Sequence, residues 1–472
     1  MNVLPALVVW LAPLLLGSGL WAAAAGWPRR GGALATVLGG GWIVGVLSCG
    51  LLMRALAASD LSAGLARVGV TAALIGVAGW AVAAWSRERT STPRVRLLPR
   101  RHDQVVALLV LLAIAWRAWA FATDIALHPT LPWDAWAVWE AKAKTWVLAG
   151  HASPYVSFGR WLLHPQFDAR TAAAWNYPEL LPWSLTWFAA DTGWLEPWIN
   201  MAWLGLWLGL LVAQYGHWRA LGVSPTHALA GVYLLGSLPL LDAHVALGGY
   251  SDLWVAALMS LGSHAWLHWR TMGEQRQLLV LAGIAVLLPM LKLEGAVWSI
   301  VLGVATVFGA LPRRLRSKRF LVGAVAAAII IALCVSLKVP WVAVARHYVR
   351  GSIDVDGGRI VQSLFALANA LWGQWNWNLL WFALPAALLW KRAKWTRSTT
   401  VQRLFALVVV PLLLIVGLFV LTSAARYAQS YSAVNRLLLQ LVPTSVSLLV
   451  LVLWLPADQP DERNAPDEPA AA

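Results

Sequence analysis

The side chains able to do chemistry are few, and they stand at the margins of apolar stretches. Pro132-Trp133-Asp134-Ala135-Trp136 sets a carboxylate between indoles. Lys292 and Glu294 flank one leucine in Leu291-Lys292-Leu293-Glu294-Gly295, and Arg436 opens the apolar run that follows Asn435. Asp242 and His244 close one apolar run, and Asp252 begins the next across Gly248-Gly249-Tyr250-Ser251. A positioned carboxylate turns a hydroxyl into a nucleophile by taking its proton as the new bond forms. An arginine holds a phosphate through paired hydrogen bonds, and a lysine does so as a point charge. Each of these residues also has a plain structural reading. Asp134 and Asp252 read equally as helix N-caps, Lys292 with Glu294 as a local ion pair in a tight turn, and Arg436 as a snorkelling side chain. For Asp134 the cap and the general base are compatible, because a cap fixes the side chain. A charge at membrane depth costs about 2.5–3.5 kcal/mol on insertion scales, which favours a lipid phosphate as the reason for Lys292.

Asp134 lies in the one long wet interruption of the chain, from Thr123 to Glu179. The pattern predicts an amphipathic helix over Ala135 to Leu148. Trp133, Trp136, Trp139 and Trp146 fall on one side, in the headgroup layer, and Asp134 sits at the start on the water side. Lys142 and Lys144 flank the apolar face. Asp168 is the second candidate catalytic carboxylate; Asp124 and Glu179 read as solvated or capping. The loop returns to the apolar part through Asn176-Tyr177-Pro178. Another basic stretch, with Arg346, His347, Arg350 and Arg359, is partly neutralised by Asp354 and Asp356.

The elements that must position these residues are transmembrane helices. The chain has 472 residues, 60% hydrophobic and 12% charged. Uncharged windows of ~20 residues cross the hydrocarbon as helix, and no period-two pattern suggests a barrel. The expected fold is an all-α polytopic membrane protein with about 13 spans. They run Val3 to Ala25, Gly32 to Ala57, Leu61 to Trp85, Gln104 to Ala122, Trp194 to Tyr215, Ala228 to Val245 and Ser251 to Trp269. They continue with Gln277 to Leu291, Gly295 to Leu311, Phe320 to Trp341, Leu371 to Trp390, Leu404 to Leu421 and Leu437 to Leu455. Leu180 to Ala190 is too short to span and reads as re-entrant or interfacial. The net charge of +15 comes from basic clusters between spans, so nucleic acid is not the implied partner. With those clusters cytoplasmic, the amino terminus lies outside, the carboxyl terminus inside and the long loop outside. Much of the tryptophan, 33 residues, reads as interfacial belt. No spacing specifies a metal site or a nucleotide-type phosphate loop. The tail 456–472 is acidic, Pro-rich and expected to be disordered.

Trp133-Asp134-Ala135-Trp136-Ala137-Val138-Trp139 resembles the acidic loop motif of the GT-C glycosyltransferases, in particular bacterial relatives of the dolichyl-phosphate-mannose-protein mannosyltransferase and aminoarabinose transferase group. Tyr177-Pro178-Glu179-Leu180-Leu181-Pro182, Gly249-Tyr250-Ser251-Asp252, Lys292-Leu293-Glu294-Gly295 and Arg436-Leu437-Leu438-Leu439 are similar to further landmarks. The likeness runs over 104–455, with extracytoplasmic loop 123–180; residues 1–103 would form three accessory spans and a basic cytoplasmic loop. Asn176 stands where relatives often carry an acidic residue, so the likeness supplies no second carboxylate there. The resemblance implies an enzyme of the bacterial inner membrane with its site on the periplasmic side. It would move a sugar from a polyprenyl-phosphate carrier to a glycan, lipid or protein acceptor, inverting the anomeric centre. Asp134 would be the general base, Lys292 and Arg436 would hold the leaving phosphate, and Arg346 and Arg350 would stand behind them. Glu294, Asp242, Asp252 and Tyr177 would line the substrate site, and Trp136 and Trp139 would stack on sugar. A divalent cation as cofactor stays open. Two other readings fit the same residues: a polymerase or ligase using lipid-linked oligosaccharide, and a secondary transporter or flippase. The absence of an internal repeat speaks against the transporter.

Overall fold

In the structure, a computed structural model, residues 3–28, 32–86, 101–163, 168–310 and 357–456 are described. Among them the chain is helical, with one isolated bridge between Tyr155 and Arg170. The first elements are α1 (Val3–Ala25), α2 (Ala33–Leu56), α3 (Gly64–Trp85) and α4 (Arg101–Leu127). The long loop carries α5 (Glu140–Ala149), α6 (Phe158–Leu163) and α7 (Leu180–Phe188). Then come α8 (Glu196–Ala220), α9 (Pro225–Gly236), α10 (Pro239–Ala246), α11 (Asp252–Met272), α12 (Gln277–Leu291) and α13 (Leu293–Ala310). The last group is α14 (Gly357–Ala368), α15 (Leu380–Trp390), α16 (Thr399–Leu421), α17 (Ala425–Gln429), α18 (Val434–Leu439) and α19 (Val442–Trp454). Among the described residues seven helices are long and apolar enough to cross a bilayer, and the bent pair α9–α10 makes up to eight. The protein is a multi-pass membrane protein.

The expected count of about 13 spans is not confirmed, and particular helices show why. The window Ala228 to Val245 is one hydrophobic run but not one helix. Pro239 forbids continuation, and α9 and α10 meet at 66°. The carbonyls freed at the break are taken up: Arg117 Nε donates to Gly236 O at 3.0 Å and Asn378 Nδ2 to Ser237 O at 3.0 Å. Leu371 to Trp390 is broken by a turn with positive φ at Trp375 and Asn378. Leu437 to Leu455 is split between α18 and α19. α11 is long, but Ser260, Ser263, His264 and His268 make it too polar to face lipid; it is buried inside the bundle instead. The expected span Phe320 to Trp341 and the tail beyond Pro456 lie outside the described residues.

Tryptophan serves the interior more than the belt reading allowed. Trp187, Trp203, Trp207, Trp218, Trp254 and Trp377 are fully buried. A buried indole needs an acceptor for its N–H, and several use it to pin backbone: Trp187 to Val9 O at 3.0 Å and Trp203 to Tyr250 O at 2.8 Å. Trp42 stacks between Trp10 and Trp254, joining α1 and α2 to α11. The first helices are therefore packed into the bundle. α7 is buried on all sides rather than lying on the surface.

One end of the bundle gathers the long loop, the α2–α3 turn, the α10–α11 turn, the α12–α13 turn and the segment before α19. There Leu61 N–H donates to Gly150 O and Ala152 N–H to Ala58 O. The opposite end holds Arg219, Arg276 and Arg403, the last donating to Arg270 O at 2.7 Å.

Candidate functional site

At the loop end four charged residues from four separate segments form one hydrogen-bonded network. Arg436 is its hinge. Its Nη2 donates to Asp134 Oδ2 at 2.5 Å and its Nε to Asp252 Oδ2 at 2.9 Å. Lys292 Nζ donates to the other oxygen, Asp252 Oδ1, at 2.7 Å and lies 3.4 Å from Glu294 Oε1. Gln440 Nε2 also donates to Asp252 Oδ1, at 2.7 Å, and is itself held by Trp298 Nε1 at 2.5 Å. Asp252 is wholly buried and Lys292 4% exposed, whereas Asp134 and Arg436 are 28% and 24% exposed. The network thus grades from a dry floor to a wet rim. A dry carboxylate is tolerable only with this number of donors.

Local sequence explains each placement. Gly248 and Gly249 turn the chain with φ of +64° and +77°, which side chains resist. A methyl at Gly249 would also lie 2.2 Å from Ala135 Cβ, so the glycine lets the loop motif seat on the α10–α11 turn. Tyr250 follows, and its ring lies 5.1 Å under the Arg436 guanidinium. Ser251 is the N-cap position of α11, so Asp252 falls in its first turn and its carboxylate is free for the cations. Lys292 is extended between α12 and α13, and Gly295 permits the reversal: a methyl there would meet Leu288 O at 2.0 Å. Asp134 makes no capping hydrogen bond, which overturns the N-cap reading; its acceptor capacity goes to Arg436. The expected N-cap for Asp252 fails likewise.

The loop helix differs from the expected surface-lying one. Ala135–Trp139 winds as a π-turn before α5. That extra residue splits the four indoles. Trp133 and Trp136 are exposed and stacked on each other at 4.9 Å, while Trp139 and Trp146 are buried. Lys142, expected to flank the apolar face, is buried and donates to Trp175 O, Tyr177 O and Glu179 Oε1 at 3.1, 3.2 and 3.4 Å. Burial pulls its ammonium below the ordinary lysine range, and Glu179 opposes that. Glu140 is buried too, with Oε1 lacking a hydrogen-bond partner. Burial first, and the Glu196 carboxylate second, push it up to about 7, against Thr130 and Lys144.

The remaining expected site residues are not brought to the network. Asp168 sits on the outer loop, bonded to His151 Nε2 at 2.9 Å and Ser153 Oγ at 3.0 Å; it ties the loop together. Asp242 pairs with Arg117 at the helix break. Tyr177 packs edge to face on Trp139. Arg346 and Arg350 lie outside the described residues. Residues not singled out from sequence include Gln440, Trp298, Tyr250, Glu140 and Arg117. Gln440 is four residues past Arg436 and Trp298 four past Glu294, each one helical turn on. Arg117 is a charge within an apolar helix, a signal the membrane cost makes readable. His244 Nε2 is buried without a protein partner, and its ring lies 4.9 Å from that of Tyr250. Among the described residues no group of three or more His, Cys, Asp or Glu is arranged to hold a metal ion.

No known family, no curated protein and no solved structure matches this chain.

Proposed function

We propose that the protein is a membrane glycosyltransferase of the GT-C type, moving a sugar from a polyprenyl-phosphate carrier to an acceptor hydroxyl at the extracytoplasmic face. The supporting observation is Arg436 bridging Asp134 of the loop to Asp252 of the bundle. Arg436 spends two of its five N–H donors on these carboxylates. A donor phosphate arriving at the rim competes for the guanidinium and draws it from Asp134. The released Asp134 oxygen then accepts the acceptor's proton. The acceptor oxygen bonds to the anomeric carbon while the bond from that carbon to the phosphate oxygen breaks, inverting the centre. The negative charge that grows on the phosphate is met by Arg436 and Lys292, groups already fixed in place by Asp252. Asp252 and Gln440 position the cations and do not touch the reacting atoms. The exposed Trp133–Trp136 stack offers a flat apolar face to a sugar.

Asp134→Asn keeps the shape and the Arg436 contact but cannot take a proton. Transfer from polyprenyl-phosphate sugar in membrane vesicles falls on the order of 1,000-fold, with thermal stability retained. Activity within a few fold of wild type removes Asp134 from the mechanism. Mass spectrometry of lipids extracted from purified protein names the donor, and one sugar against many separates this reading from a polymerase or ligase. The bent α9–α10 pair favours a second reading, transport, because broken helices hold cargo in transporters. Here, however, its freed carbonyls are occupied by Arg117 and Asn378. Cargo uptake into proteoliposomes without chemical turnover would decide for transport.

A further inference from the structure

At the end of the bundle opposite the network, the close of α19 and the α15–α16 connection enclose a cavity of about 360 Å³. Lys394, Trp395 and Arg397 line it from the connection, and Leu451 and Leu455 line it from α19. Pro456, the last of the described residues, lines it too. Its position is set by packing. Leu455 before it is buried, and a methyl on Gly222 of the α8–α9 turn would touch Pro456 Cγ at 3.6 Å. Residues 457–472 therefore set out from a fixed point beside the cavity.

The connection is strongly basic. Lys391-Arg392-Ala393-Lys394-Trp395-Thr396-Arg397 puts four cations into seven residues. It is also rigidly framed. Arg392–Trp395 forms a short helical turn, Trp395 Nε1 donates to Leu388 O at 2.7 Å, and the Trp395 ring stacks on Phe405 at 5.3 Å. Ser398 Oγ accepts from Val401 N–H and caps α16. Cations on such a frame lose little freedom when a partner arrives. Arg392 and Arg397 are exposed, and neither forms an ion pair among the described residues. The sequence that follows Pro456 has the opposite charge: Asp458, Asp461, Glu462, Asp467 and Glu468 against Arg463 alone. At full stretch Asp458 reaches about 7 Å from Pro456 and Glu462 about 20 Å, enough to lay the first three acids across the cavity and the basic turn. A segment tethered so close faces its partner at an effective concentration on the order of mM. Anionic lipid headgroups compete for cations at a membrane surface, but the chain does not hold them there.

We infer that the acidic segment 457–472 docks on this basic turn of its own chain, with Asp458, Asp461 and Glu462 set against Arg392, Lys394 and Arg397. The contact is electrostatic, because the segment has no aromatic and no long aliphatic side chain. It lies apart from the Asp134 network and does not depend on the sugar-transfer reading. Carbodiimide crosslinking tests it, since this reagent joins a carboxylate to a lysine amine without a spacer and so reports direct contact. Heavy and light isotopic forms of the full-length protein are mixed in non-ionic detergent with phosphatidylcholine or phosphatidylglycerol, and the products are mapped by mass spectrometry. Amide bonds from Asp458, Asp461 or Glu462 to Lys391 or Lys394 are expected, within one molecule and in both lipids. They disappear at about 0.5 M salt, which screens the attraction. Arg392→Gln together with Arg397→Gln spares both reactive lysines and lowers the yield about fivefold. Both arginines are exposed, so the double variant keeps its fold. Products that vanish in phosphatidylglycerol give the basic turn to lipid headgroups, and products of mixed isotope give it to a second copy of the chain. Either result overturns the inference, as does the absence of product or an undiminished yield in the double variant.

Discussion

Glu140→Gln tests how the loop is held on the bundle. Glu140 is buried beside the Gly248–Gly249 turn, and a methyl at Gly249 would come 3.2 Å from its Oε1. Lys144, the nearby cation, spends itself on Glu196 at 3.1 Å. The docked carboxyl is raised from 4.5 to about 7, by burial and then by the Glu196 carboxylate. That rise corresponds to about 3 kcal/mol between the docked neutral and docked ionised forms. A carboxyl raised in the folded state holds a proton that the undocked chain has already lost. Its contribution is complete below about pH 4.5 and disappears as pH climbs through about 7. Wild-type docking is thus weaker in alkali, and glutamine, which cannot ionise, is exempt. Thermal unfolding followed by tryptophan fluorescence from about pH 5 to about pH 9 compares the two proteins. Their midpoints converge toward the acid end, and the advantage of Glu140→Gln grows as pH rises from about 4.5 to about 7 and levels off above that. Limited proteolysis of the loop follows the same order. Parallel pH profiles for the two proteins would refute the reasoning, because they would mean that Glu140 changes neither its charge nor its surroundings on docking.

Arg436→Lys keeps the charge but cannot reach Asp134 and Asp252 with two fixed donors; sugar transfer falls on the order of 100-fold, and unchanged turnover would show that the bridge is idle. Lys142→Met leaves the carbonyls of Trp175 and Tyr177 without their donor and costs about 2 kcal/mol, read as faster proteolysis of the loop. Gly249→Ala clashes with Ala135 and strains a positive φ; it lowers transfer while leaving the opposite end unaltered, which hydrogen exchange can map.

The sequence alone determined the class of protein, because a lipid-facing backbone must close its hydrogen bonds internally and long uncharged windows leave no alternative to helix. It also made Asp134, Asp252, Lys292, Glu294 and Arg436 conspicuous, since a charge beside an apolar run demands a reason. Their meeting was not legible. Asp134 and Arg436 are joined across nearly the whole of the loop and bundle, and a pairing of that range depends on how helices stack, which local pattern does not encode. The helix breaks at Pro239 and near Trp375 are marked by the proline and by Gln374, Asn376 and Asn378, signals that a hydropathy window averages away because it counts residues and ignores backbone direction. The π-turn at Ala135–Trp139 was invisible, yet it alone turns Trp139 inward and leaves Trp136 outside. Burial settled the rest: Asp252 and Lys292 became a floor, and Glu140 a buried acid, only once neighbouring helices had removed the water that would otherwise have made each of them ordinary.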